Sequence, residues 1–398
     1  MVVPLNSPQP VFSLPPLDEI PDTDEDTPKD GTPLGEVGSM HVPEIVLGAA
    51  TFSYHYNSDE YVAGTMPLRT VRLALRYGIR AFDTAAYYGV SEIVLGTALK
   101  TLAPEFPRSS YKLMTKCGRY GPAQSEFDYT PATVRASVRR SLARLNTDYL
   151  DVVYLHDVEY VCTPVGPQEA GDHTAALADA REAEYGLARG AEGKTWGEGD
   201  QKILDALAEL RKMQGEGLIR AVGITGYNLP TLLRLALLVL HTPPYKPLDV
   251  LLTYSNLNLQ NASFASFAPA LKARARIPQL LIASPLNMGL LTFTPPAWHP
   301  APAGLRAATA EAVAVCDNAP WEGGLPNVAV GYGFRRGAAV GVPVVVGMTN
   351  LLEVHENVRV WRELKDGTRA EERVALEGRV VDVFREWQGW SWVSPPSQ

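Results

Sequence analysis

Apolar positions along the chain fall into two patterns. Eight short runs are continuously apolar: 44–50 (EIVLGAA), 79–85 (IRAFDTA), 111–116 (YKLMTK), 149–156 (YLDVVYLH), 218–225 (LIRAVGIT), 248–255 (LDVLLTYS), 279–285 (QLLIASP) and 342–347 (VPVVVG). Runs that do not alternate with polar residues suit strands buried on both faces. Between them, apolar residues return at helical spacing. Thr130 and Pro131, a cap and first-turn pair, precede Val134, Val138, Leu142 and Leu145. Asp200 opens a second such stretch, with Ile203, Leu207, Leu210 and Met213 on one face and Gly215 and Gly217 to stop it. Residues 231–240, 327–337 and 350–364 read the same way. Strands alternating with helices indicate a parallel β/α protein, and the number of runs predicts a closed (β/α)8 TIM barrel. A doubly wound open sheet is the alternative, but no GxGxxG follows the first run.

Two segments exceed a minimal barrel. Residues 162–199 intervene between the fourth run and its helix, and residues 292–326 carry four prolines between 295 and 303. Both follow strands, which predicts the catalytic face for both. The first is either a lid or a plain insertion. Residues 1–42, Pro-rich and then acidic (LDEIPDTDEDTPKDG), read as a partly flexible N-terminal extension ahead of a single domain over 43–390.

A net charge of −8 offers no attraction to nucleic acid or an anionic membrane. Cys117, Cys162 and Cys316 are widely spaced and form no CxxC, which argues against a disulfide scaffold or a zinc site. No basic region followed by an apolar core opens the chain. The longest apolar run, 232–240, contains Arg234 and is too short to span a bilayer. The expectation is a cytoplasmic protein without membrane association, bound metal or obligate protein partner.

In a barrel, chemistry comes from the strand C-termini. The second run ends at Asp83 with Tyr88 a turn later, the third ends in Lys116, and the fourth ends in His156. Singly, each has an ordinary reading: a helix cap, a rim ring, a solvated cation, a core histidine. On consecutive strands all four can converge. A Tyr is a poor base near neutral pH, a nearby ammonium stabilises its phenolate, and a buried Lys needs a counter-charge. Asp83 can supply that charge, and a neutral His156 can orient an oxygen.

These residues carry a resemblance. FDTAAYYGVSEIVLG, TKCGRY, YLHD, GLIRAVGIT, ASPLNMGLLT and GMTNLLEVHEN match the aldo-keto reductase pattern in order and spacing over roughly residues 44 to 365. The resemblance implies a (β/α)8 barrel that holds a nicotinamide cofactor without a Rossmann motif. It also implies a catalytic tetrad of Asp83, Tyr88, Lys116 and His156. TKCGRYGPAQSEFDYT, HDVE and GITGYNL look most like the L-galactose and D-arabinose 1-dehydrogenase branch. Membership there implies oxidation of a free aldose (D-arabinose, L-galactose or L-fucose) at C1 to the aldonolactone, with NAD. The insertion after HDVEYV looks like the fungal D-arabinose dehydrogenase form. The alternatives are a broad-scope NADPH-dependent aldehyde reductase and a cofactor-binding regulatory barrel with little turnover.

The same resemblance implies cofactor contacts. Ser284, Leu286 and Gly289 would wrap the pyrophosphate. Thr225 and Gly226 stand where family members often present Ser-Asn to the carboxamide, so one contact is lost. Ala283 stands where many members stack a Tyr on the nicotinamide. Gly347, Met348 and Thr349 open the adenosine loop, and Glu356 and Asn357 match residues that contact adenine. Members preferring NADP present a Lys and an Arg at the positions of Gly347 and Glu353; a carboxylate at 353 would disfavour a 2′-phosphate and imply NAD over NADP. Otherwise Glu353 is a first-turn helix residue favoured by the helix dipole. Tyr54, in TFSYHYN, is the candidate for a substrate-pocket wall.

Overall fold

The computed structural model describes residues 9–395. Its centre is a closed barrel of eight parallel strands: β3 (Ile45–Gly48), β4 (Ala81–Asp83), β5 (Lys112–Cys117), β6 (Leu150–Leu155), β7 (Ile219–Gly226), β8 (Val250–Tyr254), β9 (Gln279–Ala283) and β10 (Val344–Gly347). β10 pairs with β3 to close the ring, Val344 opposite Ile45 and Gly347 opposite Gly48. Each strand coincides with a predicted apolar run, β5 and β7 ending one residue beyond theirs. The predicted helices are Pro131–Arg144, Glu198–Gly215, Leu229–Leu240, Gly324–Val340 and Leu351–Asp366. Pro131 and Pro230 sit in first turns, where no backbone N–H is missed, and Asn228 accepts from Thr231 N at 3.0 Å to cap its helix.

Alternating side chains of the strands form two layers. Val46, Ala81, Met114, Val152, Tyr154, Val250, Leu252, Leu281 and Val345 fill the barrel interior. The other faces, such as Leu47, Phe82, Leu113 and Val153, pack under the helices. A two-stranded hairpin, β1 (Glu36–Val37) with β2 (Val42–Pro43), lies at the N-terminal mouth. Its turn residue Gly38 has φ +77°, and a Cβ there would stand 2.1 Å from Gln279 Oε1 at the start of β9. Met40 N donates to that oxygen at 3.2 Å, so the hairpin stoppers the mouth.

The N-terminal segment departs from expectation. Residues 9–42 are packed rather than free, and residues 1–8 lie outside the described residues. Asp26 is fully buried against Arg69 (Nε to Oδ1, 3.0 Å) and Arg72 (Nη2 to Oδ1, 3.0 Å). His355 and Arg362 hold the carbonyls of Glu25, Lys29 and Asp30. The segment thus straps helix Met66–Tyr77 to helix Leu351–Asp366.

As far as Gly197 the insertion has no regular helix or strand, only short 3-10 turns at Thr174–Leu177 and Glu182–Tyr185. Arg234 reaches Thr163 O and both oxygens of Asp200, and Arg274 pairs with Glu182, so the segment docks on the helices that carry those arginines. Residues 292–326 divide in two. Their first part reaches the catalytic face, and helix Ala303–Asp317 then packs with helix Ala370–Phe384 in a satellite core. Among the described residues no helix is long and apolar enough to cross a membrane.

Candidate active site

Parallel pairing puts the ends of β4, β5 and β6 side by side, with Asp83 opposite Met114 and Lys116 opposite Tyr154. Asp83 ends β4, Lys116 stands one residue before the end of β5, and His156 follows β6. Lys116 is 2% exposed, and its Nζ donates to Asp83 Oδ1 at 2.5 Å and to Thr84 O at 2.8 Å. Tyr88 follows on a turn, its ring centre 4.8 Å from Lys116 Nζ. The His156 ring lies 5.7 Å from Tyr88 and nearly perpendicular, at 86°. All four predicted residues meet at one point.

Burial sets the charges. It pushes the Asp83 carboxyl up, against the pull of Lys116. It pulls the Lys116 ammonium down, but Asp83 and Tyr88 hold it above its ordinary value, so the cation persists. Burial, with Lys116 and Arg119 nearby, drives the His156 imidazole well below its usual range and leaves it neutral. Its Nδ1 is buried without a partner among the described residues. For the Tyr88 phenol, the stabilising ammonium does not prevail. Burial pushes it up to about 12; Lys116 pulls it down, but Asp83 and Asp157 push it up as well.

A groove of about 780 Å³ runs from Asp83 and Tyr88 past Ser284, Leu286 and Gly289 to Gly347, Glu353, Glu356 and Asn357. Nine predicted residues therefore line one continuous channel. Others do not. Met348 is fully buried in the core, its carbonyl taken by Thr51 Oγ1 at 2.9 Å. Thr349 O accepts from Tyr61 and Thr70, so it too faces away. Tyr54 and Tyr56 are equally exposed, but Tyr54 stands outside the groove, whose wall is made instead by His55 and Tyr56. The TFSYHYN stretch therefore meets the groove through His55 and Tyr56 and not through Tyr54. Phe293 and Trp298, from the Pro-rich segment, also line the groove. No residue of the 162–199 insertion does.

Thr225 and Gly226 lie buried at the end of β7. A Cβ on Gly226 would stand 2.2 Å from Glu159 Oε2, so the buried carboxyl of Glu159 fills the space that a side chain there would take. Burial and the neighbouring Asp157 push that carboxyl up to about 8. Opposite Ala283 in register stands Tyr254 on β8, which puts a ring on the neighbouring strand.

The channel suits an elongated nucleotide. Asp83 Oδ2 at one end of the groove and Asn357 Oδ1 at the other are buried and unpartnered among the described residues; so is Thr225 Oγ1, at the end of β7 and outside the groove lining. Glu353 is already engaged. Its Oε2 accepts from Thr349 N at 2.6 Å, its Oε1 from Asn350 Nδ2 at 3.2 Å, and its own N donates to Asn350 Oδ1 at 3.0 Å. Asn350 caps the helix, and Glu353 holds the turn before it while lining the groove. Glu356 is paired with Arg359. Among the described residues no group of three or more His, Cys, Asp or Glu is arranged to hold a metal ion.

Residues 44–371 match the Aldo/keto reductase family. The chain is similar to D-arabinose 1-dehydrogenase of Saccharomyces cerevisiae, with 32% identity over 89% of this chain and 94% of the relative. It is similar to L-galactose dehydrogenase of Arabidopsis thaliana, with 34% identity over 83% of this chain and 88% of the relative. Among solved structures, the holo form of an aldo-keto reductase from Bacillus halodurans superposes with TM-score 0.57 and 20% identity, covering 87% of this chain and 96% of that one.

Proposed function

We propose that this chain, which belongs to the aldo/keto reductase family of oxidoreductases, uses NAD to oxidise a free aldose at C1 to the aldonolactone. The observation that carries the reading is the meeting of Asp83, Lys116, Tyr88 and His156 at one end of a groove with unpartnered polar atoms along it. The names of the two curated relatives support an aldose as substrate. Three buried free cysteines, Cys117, Cys162 and Cys316, suit a reducing compartment such as the cytoplasm.

A bound nicotinamide would accept the hydride from C1. The residues do the rest. The anomeric hydroxyl lies between the Tyr88 phenol oxygen and the imidazole of His156. Tyr88, as phenolate, takes the hydroxyl proton. Lys116 stabilises the phenolate charge, and Asp83 balances Lys116 whether Tyr88 is charged or neutral. His156, held neutral, hydrogen-bonds the anomeric oxygen without adding a second cation. Thr225 Oγ1 would hold the carboxamide, Ser284, Leu286 and Gly289 the pyrophosphate, and Asn357 the adenine. Glu353 favours a ribose diol over a 2′-phosphate, which supports NAD over NADP.

Initial rates with D-arabinose and L-galactose plus NAD, against a simple aldehyde plus NADPH, test this reading. Aldose oxidation with NAD should dominate. Turnover confined to the aldehyde with NADPH would make the protein a broad reductase, and tight cofactor binding without turnover would make it a regulatory barrel.

A further inference from the structure

Arg119 stands three residues beyond Lys116 and takes no part in the proton transfer above. Its guanidinium carbon lies 3.9 Å from the centre of the Tyr87 ring and 5.4 Å from the centres of Phe127 and Tyr160. Phe127 and Tyr160 are stacked on each other, 4.6 Å apart and 7° from parallel. Nη1 donates to Asp157 Oδ2, and Nε donates to Gly121 O at 3.2 Å. Nη2 donates to nothing among the described residues, and 14% of the side chain stays exposed.

This guanidinium adjoins the reacting end of the groove. Asp157 Oδ2, which receives Arg119, is 3.7 Å from His156 Nε2. The Tyr87 ring, which Arg119 covers, is 5.9 Å from His156 and 5.9 Å from His55, a groove-lining residue. Arg119 is therefore one side chain removed from the imidazole that orients the anomeric oxygen.

Holding a long side chain costs rotamer entropy, and here stacking and two hydrogen bonds already meet that cost. What remains is a rigid fork with a spare nitrogen. Asp157 decides what the fork can take. Its carboxylate offsets the guanidinium charge, so the site offers directed N–H donors without a net cation. A substrate carboxylate or phosphate would meet repulsion from Asp157; a neutral hydroxyl would not.

We propose that Arg119 determines specificity, its Nη2 donating to a hydroxyl oxygen of a neutral aldose bound against Tyr88 and His156. This rests on the aldose reading above. The test measures kcat and KM for D-arabinose and L-galactose with NAD, and for propanal with NADH, in wild type, Arg119→Met and Arg119→Lys. Propanal has no hydroxyl to lose. The Lys variant keeps a cation for Asp157 and so guards against a failure to fold. In Arg119→Met the aldose-to-propanal ratio of kcat/KM should fall on the order of tenfold to a hundredfold, the usual scale for a hydrogen bond to a charged group, mostly through KM. Arg119→Lys should fall between the two. A ratio within twofold of wild type in both variants, or equal loss on both substrates, overturns the assignment. A wild type that reduces propanal but oxidises neither aldose would instead remove the aldose reading, and this one with it.

Discussion

The Lys116 ammonium stands 4.8 Å from the centre of the Tyr88 ring, close enough to draw the phenol's ionisation down but outweighed by burial. Tyr88, pushed up to about 12, is protonated at neutral pH. Oxidation needs the phenolate, so log kcat for aldose oxidation should climb with pH across the range 7 to 10 without levelling. Reduction of a carbonyl needs the protonated phenol and should stay flat there. Lys116→Met removes the opposing charge, so its oxidation rate should be lower throughout and keep rising to higher pH. A plateau below pH 9 in wild type would contradict the order of these effects.

Tyr88→Phe keeps the ring and removes only the hydroxyl proposed to carry the proton. It should lower kcat on the order of 10²-fold or more, with the dissociation constant for NAD, read by fluorescence titration, little changed. Activity within tenfold of wild type would show that another group moves the proton.

Glu353 serves two structures at once, since the carboxylate that lines the groove also holds Thr349 N and Asn350 Nδ2. Wild type should prefer NAD to NADP with the same sugar. Glu353→Arg should move the ratio of kcat/KM towards NADP by on the order of tenfold or more, and should also lower the melting temperature through the lost bonds to Thr349 N and Asn350 Nδ2. An unchanged ratio with a lowered melting point would leave Glu353 with its structural role alone.

Asp26 is buried between two arginines. Burial alone would raise its carboxyl, but bonds from Arg69, from the Thr23 backbone and from Arg72 hold it well below the ordinary range. A lowered carboxyl contributes stability above its unfolded value, near 4, and loses it as pH falls. Asp26→Ala leaves Arg72 buried without that partner, which should cost about 3–5 kcal/mol near neutral pH by chemical denaturation. The gap from wild type should narrow below pH 4. Equal denaturation midpoints at pH 7 would mean the strap is not held by this ion pair.

The barrel was legible because its strands are buried on both faces, and double burial leaves an unbroken apolar run. The convergence of Asp83, Tyr88, Lys116 and His156 was legible because strand ends are counted easily once the strands are. Other features gave weaker signals. Helix Ala303–Asp317 is alanine-rich, so its buried residues Leu305, Ala312 and Cys316 stand out little from their neighbours. The strap looks like a solvated acidic tail because the partners of Asp26 lie 43 and 46 residues away. Tyr54 and Tyr56 are equivalent in composition, and only the backbone decides which one faces the groove. Met348 and Thr349 follow β10, but their carbonyls turn towards Thr51 and Tyr61.

The stoppered, side-chain-filled barrel makes the active site a cul-de-sac. Met40 and Val42 close one mouth, and the packed interior offers no passage to the other. Everything that reaches Tyr88 must come and go by the same doorway, and the longer guest must lie along the groove before the shorter one can rest on it. Traffic is then single-file. For the proposed reaction, NAD should enter first and NADH should leave last, so NADH should compete with NAD while inhibiting noncompetitively against the sugar. Random entry in product-inhibition kinetics would mean that the doorway is wide enough for two.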